Sequence, residues 1–469
     1  MNFYDDISRF GERIAISTET GEELTYSSII SKANELTRTM SSRCLVFLIC
    51  ENSYEPITAF IGFLRKRVVV ALINHKIDRE LFVSLLSTYK PQYIFCKNGW
   101  HEEGQAVAHL GDFHLLKTEH QALPTINPEL AVMIATSGST GSPKFVMQSY
   151  KNITSNAAAI ADYLQIKPDD RAITTLPMSY TYGLSIIQSH FIQGAQVIAT
   201  ERTLMDKAFW QLLKEREATT FGGVPYIYEM LKKLHFDRMD VPSLRYITQA
   251  GGKLSKELVV EFSGICREKG IELIVMYGQT EATARMSYLP WQNITDKTAS
   301  IGVAIPGGKF SLIDANGDTI SMPDTAGELV YHGDNVALGY AEKLEDLSKA
   351  DEWHGELHTG DVATRDADGF YYIVGRLKRF LKLFGNRVNL DEAEQLLKRA
   401  GFQCVCGGKD DLLKIYIVQA DEAELERAID YISQKTGLNR SAFSAFSIAE
   451  IPRSDSGKIL YADLERLYG

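Results

Sequence analysis

The sequence predicts an α/β protein with a large N-terminal domain and a small C-terminal one. Short apolar runs of strand length alternate with helical stretches through the first three quarters of the chain. This alternation is typical of layered, mixed or largely parallel sheets covered by helices. Between 302 and 376 the pattern changes to short strands separated by turns, which indicates a small antiparallel subdomain. After Arg379 the pattern starts again over about ninety residues, the size of a small, mobile α+β domain.

The individual elements follow from apolar runs and the turn residues that bound them. Strands are predicted at 68–72, 93–96, 130–135, 145–147, 171–176, 196–199, 244–248 and 271–276. Helices are predicted at 152–165, 204–215, 391–399 and 423–435. The domain boundary is placed at Arg379, so that 1–378 forms the N-terminal domain and 380–469 the C-terminal domain.

Length and composition limit the classes of protein that remain. A chain of 469 residues is too long for one core. The net charge of -10, with no cluster of lysines and arginines, argues against a nucleic-acid partner. The six cysteines are scattered, mostly inside apolar runs, as is typical of reduced, buried thiols. No apolar stretch approaches the roughly 20 residues that span a bilayer, and the acidic N-terminus is unlike a signal peptide. We therefore expect a cytoplasmic protein without a membrane span.

The segment between the predicted strands 130–135 and 145–147 has the composition of a phosphate-binding loop. Glycines remove side-chain bulk there, and hydroxyls and backbone amides are free to surround phosphate oxygens. It is not a Walker A loop, because Pro143 precedes Lys144 and Phe145 follows it. The candidate phosphate-binding residues are Thr136, Ser137, Gly138, Ser139, Thr140, Gly141 and Lys144.

Five further motifs follow this loop in a fixed order. They are Tyr277-Gly-Gln-Thr-Glu281, Gly327-Glu-Leu329 with Gly339-Tyr340, His358-Thr-Gly-Asp361, Gly375-Arg-Leu-Lys378 and Ser456-Gly-Lys458-Ile459. Together with the loop, this set resembles the acyl-adenylate-forming superfamily, closest in pattern to the acyl- and aryl-CoA synthetases. Each motif alone is weak, but six in the right order are specific, and the resemblance extends from about Gly21 to the C-terminus.

The resemblance implies an AMP-forming acid–thiol ligase. Such an enzyme uses ATP and Mg²⁺ to convert a carboxylic acid to an acyl-adenylate with release of pyrophosphate, and then passes the acyl group to a thiol. The loop from Thr136 to Lys144 would hold the β- and γ-phosphates. The family usually has glycine where this chain has Phe145, so the strand that leaves the loop is expected to pack differently.

The resemblance also assigns roles to residues of the later motifs. Tyr277 would stack on adenine, Thr280 would contact the α-phosphate, and Glu281 would ligate Mg²⁺, a hard cation that prefers carboxylate and phosphate oxygens. Asp361 would accept the ribose hydroxyls and Arg376 would contact ribose and phosphate. The remaining residues implied are Lys458 as the adenylation lysine, and Gly251, Gly252, Gly278 and Gln279 in nucleotide binding.

The acyl pocket is expected around the segment that contains Tyr180. Amino-acid-activating relatives place an aspartate there to pair the substrate ammonium, whereas this chain has Ser179 and Tyr180. Because an unpaired buried ammonium is costly, α-amino acids are disfavoured and an uncharged acyl or aryl acid is expected. The predicted pocket residues are Tyr180, Tyr182, Gly183, Val224 and Pro225, although tyrosines at such positions are also common in plain cores.

The thiol acceptor is less well determined. Coenzyme A is the first choice, and Gly385 would lie on the pantetheine side. A stand-alone ligase that loads the phosphopantetheine of an acyl carrier protein is the alternative, and a non-catalytic nucleotide-binding protein is a third. The presence of Glu281, Asp361 and Lys458 argues against that third alternative. In the family the small domain rotates between the two half-reactions, and Arg379 occupies the hinge position.

Overall fold

We describe a computed structural model of the chain, which covers residues 3–101, 103–120, 125–135, 144–377, 379–383, 386–453 and 459–468. The chain folds into two compact units. The described part of the first unit lies within 3–135, 144–310 and 331–357. The described part of the second lies within 311–330 and 358–468. The boundary predicted at Arg379 falls inside the second unit and stays a prediction.

The described residues form 26 strands and 12 α-helices, numbered in chain order. The strands are β1 (Ile14–Thr18), β2 (Glu23–Thr25), β3 (Leu45–Cys50), β4 (Val69–Asn74), β5 (Tyr93–Lys97), β6 (Gln105–Leu110), β7 (Phe113–Lys117), β8 (Leu130–Ala135), β9 (Phe145–Ser149), β10 (Arg171–Ile173), β11 (Gln196–Ala199), β12 (Thr220–Gly223), β13 (Tyr246–Gln249), β14 (Glu272–Tyr277), β15 (Ser287–Leu289), β16 (Val303–Ala304), β17 (Lys309–Ile313), β18 (Gly327–His332), β19 (Gly339–Ala341), β20 (Glu356–Arg365), β21 (Tyr371–Arg376), β22 (Phe380–Leu383), β23 (Asn386–Asn389), β24 (Cys404–Lys409), β25 (Leu412–Val418) and β26 (Phe443–Ile448). The helices are α1 (Phe3–Asp6), α2 (Tyr26–Leu36), α3 (Tyr54–Arg65), α4 (Arg79–Tyr89), α5 (Tyr150–Tyr163), α6 (Thr181–Phe191), α7 (Lys207–Glu215), α8 (Pro225–Lys233), α9 (Lys256–Lys269), α10 (Leu390–Arg399), α11 (Glu422–Thr436) and α12 (Tyr461–Tyr468).

Two large mixed sheets organise the first unit. One has the strand order β16-β15-β14-β13-β12-β10-β11-β1-β2, and the other has the order β19-β9-β8-β4-β3-β5-β7-β6. The central strands are parallel, as in β12–β13–β14 and β3–β4–β8, whereas the edges are antiparallel. Their near-continuous burial explains why the sequence shows plain apolar runs there rather than alternation.

Helix α6 is buried along its whole length. It contains no Asp, Glu, Lys or Arg, so none of these charges has to be taken out of water when both of its sides are covered. Because α6 begins at Thr181, it fixes Tyr182 and Gly183 in the interior of the unit.

The second unit contains smaller sheets. Strands β17-β18-β20-β21 form one sheet in that order, β22 and β23 form an antiparallel pair, and β24-β25-β26 form a third sheet. Helices α10 and α11 pack against β24 and β26, and the shared core includes Leu397, Cys406, Ile415 and Ile432. The predicted α/β class, with large mixed sheets and small antiparallel ones, is confirmed.

The ends of several predicted elements differ from the structure by a few residues, and two of these elements show local hydrogen bonds at the difference. Helix α5 begins at Tyr150 rather than at Asn152, because Ser149 and Asn152 form a reciprocal capping box. Strand β10 ends at Ile173, short of the predicted Leu176, and the hydroxyls of the next two threonines bond to nearby backbone carbonyls. Thr174 donates to the carbonyl of Thr200 at 2.9 Å, and Thr175 donates to that of Gly222 at 2.5 Å.

The structure also bears on the expectations about the cysteines and about membrane-spanning segments. All six cysteines lie among the described residues, where they are buried and form no disulfide. Within the described ranges, no helix is long and apolar enough to cross a bilayer.

Candidate functional site

The start and the end of the predicted phosphate-binding loop lie side by side. Strand β8 ends at Ala135, strand β9 begins at Phe145, and these two residues are antiparallel partners. Phe145 is fully buried, with its ring 5.0 Å from that of Tyr89 in an edge-to-face arrangement. The loop residues Thr136, Ser137, Gly138, Ser139, Thr140 and Gly141 lie outside the described residues, whereas Lys144 is described.

Tyr340 joins Lys144 to Glu281. It lies on β19, which pairs with β9 so that Tyr340 is opposite Val146. The ammonium of Lys144 is 3.5 Å from the centre of the Tyr340 ring, a cation–π contact. The Tyr340 hydroxyl donates to Glu281 Oε1 at 2.7 Å. Burial, and then the carboxylate of Glu281, raise the pKa of Tyr340 well above its usual value, so the phenol keeps its proton.

The turn that carries Thr280 and Glu281 is held by buried amides. Strand β14 ends at Tyr277, and a short 3-10 turn follows at Thr280–Ala282. The side-chain amide of Gln148 donates to the Thr280 carbonyl at 3.2 Å, and that of Asn335 donates to the Ala282 carbonyl at 2.9 Å. These amides were not found by motif analysis, because isolated Gln and Asn residues have no distinctive spacing.

Gly278 and Gln279 occupy the tight part of the same turn. A Cβ on Gly278 would lie 1.9 Å from the Ala284 carbonyl oxygen and 2.7 Å from the Cα of Arg285, so a larger residue does not fit. The amide of Gln279 donates to the hydroxyl of Tyr277 at 3.2 Å. The turn therefore presents Tyr277, Thr280 and Glu281 from a rigid frame.

Glu281 fits the role of a magnesium ligand. One carboxylate oxygen accepts from Tyr340, while in the described part of the chain the other accepts no hydrogen bond. No group of three or more His, Cys, Asp and Glu that could hold a metal ion exists among the described residues. A single carboxylate is suited to Mg²⁺ when phosphate oxygens and water supply the remaining ligands.

The predicted pocket residues come together around two glycines. A Cβ on Gly251, which has a φ of +81°, would lie 2.5 Å from the Tyr180 hydroxyl and 3.1 Å from Val224 Cγ1. A Cβ on Gly252 would lie 3.1 Å from Cγ of Pro225. The close approach of Tyr180 and Val224 to backbone therefore requires glycine at 251.

Tyr182 and Gly183 form the next layer of this region. The Tyr182 hydroxyl is 2.8 Å from Thr248 Oγ1, and its ring centre is 6.3 Å from that of Tyr180. A Cβ on Gly183 would lie 2.3 Å from the Pro177 carbonyl, so this glycine lets α6 pack against the preceding turn. Burial raises the pKa of Tyr182 to about 12, which keeps its hydroxyl neutral.

In the second unit, Asp361 and Arg376 form an ion pair. They are opposite each other on the antiparallel strands β20 and β21, and Arg376 Nε donates to Asp361 Oδ1 at 2.6 Å. The side chain of Asp361 is 3% exposed, and its backbone amide donates to Thr359 Oγ1 at 3.1 Å. The carboxylate is thereby oriented, and the side chain of Arg376 remains about half exposed.

Arg379 forms hydrogen bonds and ion pairs with several elements of the second unit. Its guanidinium bonds to Asp391, to Glu394 Oε1 at 2.8 Å, to the Tyr461 hydroxyl at 2.8 Å and to the Cys406 carbonyl at 2.8 Å. Burial lowers the pKa of Arg379, but Glu394 and its other partners more than offset this and leave the pKa above its ordinary value.

The other predicted residues of this unit are Gly385 and Lys458, and both lie outside the described residues. Arg453 and Ile459, on either side of the segment 454–458, are described. Arg453 and Ile459 form an antiparallel bridge, and the Leu460 amide donates to the Pro452 carbonyl at 2.9 Å.

The comparison with protein families decides the classification. The family model of AMP-binding enzymes matches residues 3–341, which is more than half of the chain. The chain belongs to the AMP-binding enzyme family.

Curated relatives of this AMP-binding enzyme are ligases of carboxylic acids. It is 26% identical to 4-coumarate–CoA ligase 5 of Oryza sativa subsp. japonica, over 96% of this chain and 90% of the relative. It is 25% identical to a 2-succinylbenzoate–CoA ligase of Bacillus cereus, over 97% of this chain and 96% of that one. The predicted class, an AMP-forming acid–thiol ligase, is confirmed at the level of the enzyme family.

Solved structures confirm the fold over the whole chain. O-succinylbenzoate coenzyme A synthetase (MenE) from Bacillus subtilis, in complex with ATP and magnesium ion, superimposes with a TM-score of 0.79 at 21% identity. The match covers 99% of each chain.

Tyr340→Phe tests the link between Lys144 and Glu281 in this AMP-binding enzyme. The variant keeps the ring under the ammonium but removes the hydrogen bond to the carboxylate. We expect adenylation to fall about tenfold to a hundredfold, because one hydrogen bond to a charged group is lost, with a higher Mg²⁺ concentration needed for half-maximal rate. Pyrophosphate exchange at varied Mg²⁺ measures both quantities.

Tyr89→Phe is the matched control for this variant. It also removes a tyrosine hydroxyl that bonds to β19, where Tyr89 donates to the Ala341 carbonyl at 2.8 Å. The control should change stability but not the Mg²⁺ dependence. Equal Mg²⁺ curves for Tyr340→Phe and wild type would contradict the proposed link.

A second prediction concerns His190, which is buried on α6. Its Nδ1 donates to the Ile186 carbonyl at 2.8 Å, and Nε2 accepts from the Tyr246 hydroxyl at 3.2 Å. Burial lowers the pKa of His190 from 6.5 to about 4. Because the unfolded chain then binds the extra proton more readily, stability should fall as pH drops from about 6.5 to about 4, by up to about 3 kcal/mol.

The groups that act on His190 include the Asp170–Arg245 ion pair and Arg285. Denaturant unfolding of wild type and His190→Gln between pH 7 and pH 4 gives the contribution of His190 to the pH dependence of stability, because glutamine does not titrate. The difference in stability between the two proteins should change across this window. A constant difference would show that His190 is not the titrating group.

Proposed function

We propose that the chain catalyses the ATP- and Mg²⁺-dependent ligation of a small carboxylic acid to coenzyme A. The observation that carries this proposal is the contact series Lys144–Tyr340–Glu281, which holds together the cation expected to bind phosphate and the carboxylate expected to bind magnesium. The named CoA ligases among the relatives favour coenzyme A over a carrier protein as the acceptor.

In the first half-reaction, a carboxylate oxygen of the acid attacks the α-phosphorus of ATP, and the bond to the β-phosphate oxygen breaks. Pyrophosphate leaves and an acyl-adenylate remains. Positioning and charge stabilisation supply most of the catalysis in such transfers. Lys144 would neutralise phosphate charge, and Thr280 would contact the α-phosphate. Glu281 would hold Mg²⁺, which supplies further positive charge at the phosphates.

In the second half-reaction, the thiolate of coenzyme A attacks the acyl carbonyl and the bond to AMP oxygen breaks. AMP leaves, and the thiol proton passes to solvent. Asp361 and Arg376 would contact ribose, and Lys458 would act only in the first step. The buried side chain of Asp361 and its orientation by Arg376 support the ribose role, since a fixed carboxylate can accept two hydroxyl donors.

The experiment is pyrophosphate–ATP exchange with the purified chain and a panel of carboxylic acids and amino acids. We expect exchange with at least one carboxylic acid and none comparable with any of the twenty amino acids, because no aspartate stands beside Tyr180 to pair an ammonium. Robust exchange with an α-amino acid would contradict this substrate class. Absence of exchange with every acid would instead favour a non-catalytic nucleotide-binding protein.

The acceptor is tested with the same acid. Coenzyme A and a phosphopantetheine-bearing carrier protein are offered in parallel, and thioester formation is measured. Turnover with coenzyme A at the higher rate supports the proposal. Turnover with the carrier protein alone would assign the chain to the carrier-loading ligases.

A further inference from the structure

Arg285 is a fully buried cation just after the turn that carries Thr280 and Glu281, here called the nucleotide-binding turn. It is 2% exposed and is among the largest fully buried side chains of the chain. Its Nη1 donates to the Tyr163 hydroxyl and to Met276 Sδ, both at 3.1 Å, and its guanidinium carbon lies 4.9 Å from the centre of the Tyr182 ring. None of these partners carries a formal negative charge.

Among the described residues, two donor nitrogens of this guanidinium, Nε and Nη2, have no hydrogen-bond acceptor. Within the described residues, the side-chain hydrogen bonds of Arg285 start only at Nη1, and Nε is buried without a partner. No aspartate or glutamate forms an ion pair with it in that part of the chain. Burying a charge without a counter-ion costs several kcal/mol, so this arrangement is unfavourable in the protein alone.

Arg245 shows how the same chain treats another partly buried arginine. Its Nε and Nη2 both donate to the carboxylate of Asp170, at 3.1 and 2.5 Å, the side-on geometry that suits a planar fork. Within the described residues, Arg285 donates no side-chain hydrogen bond from the same two atoms, Nε and Nη2. A carboxylate from a ligand would complete the geometry that Asp170 provides for Arg245.

The location of Arg285 indicates which ligand could supply that carboxylate. Its Cα lies 2.7 Å from where a Cβ on Gly278 would stand, directly behind the turn that presents Tyr277 and Thr280. Its guanidinium lies over the ring of Tyr182, in the layer next to Tyr180. Arg285 thus stands between the nucleotide-binding turn and the wall of the predicted acyl pocket.

The tyrosines that contact Arg285 and the neighbouring His190 carry no charge. His190 is neutral because burial lowers its pKa to about 4, and burial keeps Tyr182 protonated by raising its pKa to about 12. Burial likewise raises the pKa values of Tyr163 and Tyr246. These groups therefore supply no negative charge to the guanidinium at neutral pH, and Asp170, the carboxylate that also acts on His190, is paired with Arg245.

We propose that Arg285 binds a second carboxylate, carried by the acid substrate at the end away from the reacting carboxylate. This inference rests on the proposed function and narrows its substrate to dicarboxylic acids. It departs from the uncharged acyl group expected from the segment around Tyr180, because Arg285 lies outside that segment. The proposed role is specificity, since the reacting atoms are not involved.

The test uses the purified chain and compares pairs of acids with equal numbers of carbon atoms. Succinic, glutaric and adipic acids are paired with butyric, valeric and hexanoic acids, and phthalic acid isomers with the corresponding toluic acids. Pyrophosphate exchange gives kcat/KM for each. We expect wild type to prefer the diacid of the best pair about tenfold, and Arg285→Met to lose or reverse this preference with the KM for ATP unchanged.

Arg285→Lys keeps the charge but not the fork, and it should retain part of the preference. Melting temperatures of all variants establish that they are folded. A wild type that prefers the monoacid would overturn the inference, as would an Arg285→Met variant that loses activity with both members of a pair equally. The second result would mean that the arginine is structural or binds the reacting carboxylate.

Binding of the same diacids, measured by calorimetry, tests the carboxylate subsite independently of the proposed enzyme activity. If no acid supports exchange, the proposed function fails. Diacid binding to wild type but not to folded Arg285→Met would still support the subsite. Absence of diacid binding to wild type, or equal binding to both proteins, would overturn it.

Discussion

Lys458→Ala should reduce adenylation by a factor on the order of 10²–10³, the loss expected when one charge-stabilising donor leaves the reacting centre. A lysine ammonium on a flexible stem can reach both the substrate carboxylate and the α-phosphate during the first step. In the family this lysine leaves the site before the thiol arrives. Thioester formation from a pre-made acyl-adenylate should therefore survive in the variant.

Two assays on the same preparation separate these steps. Pyrophosphate exchange reports the first, and release of AMP from a supplied acyl-adenylate with coenzyme A reports the second. The bridge between Arg453 and Ile459 is made by backbone on either side of the lysine. It does not use the Lys458 side chain, so we expect the fold to persist.

Lys409→Ala is the matched control, because Lys409 is an exposed lysine of the same unit at the end of β24. It should leave both half-reactions unchanged. Equal loss of both half-reactions in Lys458→Ala, with an unchanged melting temperature, would show that the lysine does not act in adenylation alone.

The sequence predicted most accurately those structural features that depend on a few adjacent residues. Buried parallel strands are continuous apolar runs, so β11 was predicted residue for residue and β4, β13 and β14 within two residues at each end. Glycine positions were also informative, because Gly251 and Gly278 stand where a Cβ would collide with a neighbour. Such features depend on a few adjacent residues.

Contacts between distant segments were not predictable in the same way. Tyr340 was part of a motif, yet its bond to Glu281 depends on the pairing of β19 with β9, and no spacing encodes that pairing. Arg285 stands only four residues after Glu281, but the sequence does not reveal which of its donors lack a partner. Burial and hydrogen-bond satisfaction become visible only when all packing elements are present.

Arg379→Pro should leave adenylation close to that of a matched Arg379→Ala variant, while thioester formation falls by at least about tenfold, a barrier increase of roughly 1.4 kcal/mol. The two steps make opposite demands, because ATP and acid must be shielded from water before a thiol can enter. A hinge meets both demands by a large change of φ and ψ at one or two residues. Proline fixes φ near -65° and therefore restricts that change.

The environment of Arg379 makes the alanine variant necessary. The guanidinium is bonded to Asp391, Glu394 and Tyr461, so both variants lose these contacts and leave the buried Glu394 carboxylate with fewer partners. Removing one partner of a buried ion pair costs about 3–5 kcal/mol, and we expect similarly lowered melting temperatures for both. Only the proline also restricts the backbone and removes the amide that donates to the Arg376 carbonyl at 3.4 Å.

The difference in rates between the two variants therefore measures the effect of restricting the backbone at residue 379. Pyrophosphate exchange and thioester product are measured in parallel on wild type, Arg379→Ala and Arg379→Pro. A selective loss of thioester formation in the proline variant indicates that rotation at 379 is required between the steps. If proline and alanine variants have the same two rates, the backbone at this position does not act as the hinge. The side-chain bonds to α10 and α12 would then be its main contribution, by holding the second unit together.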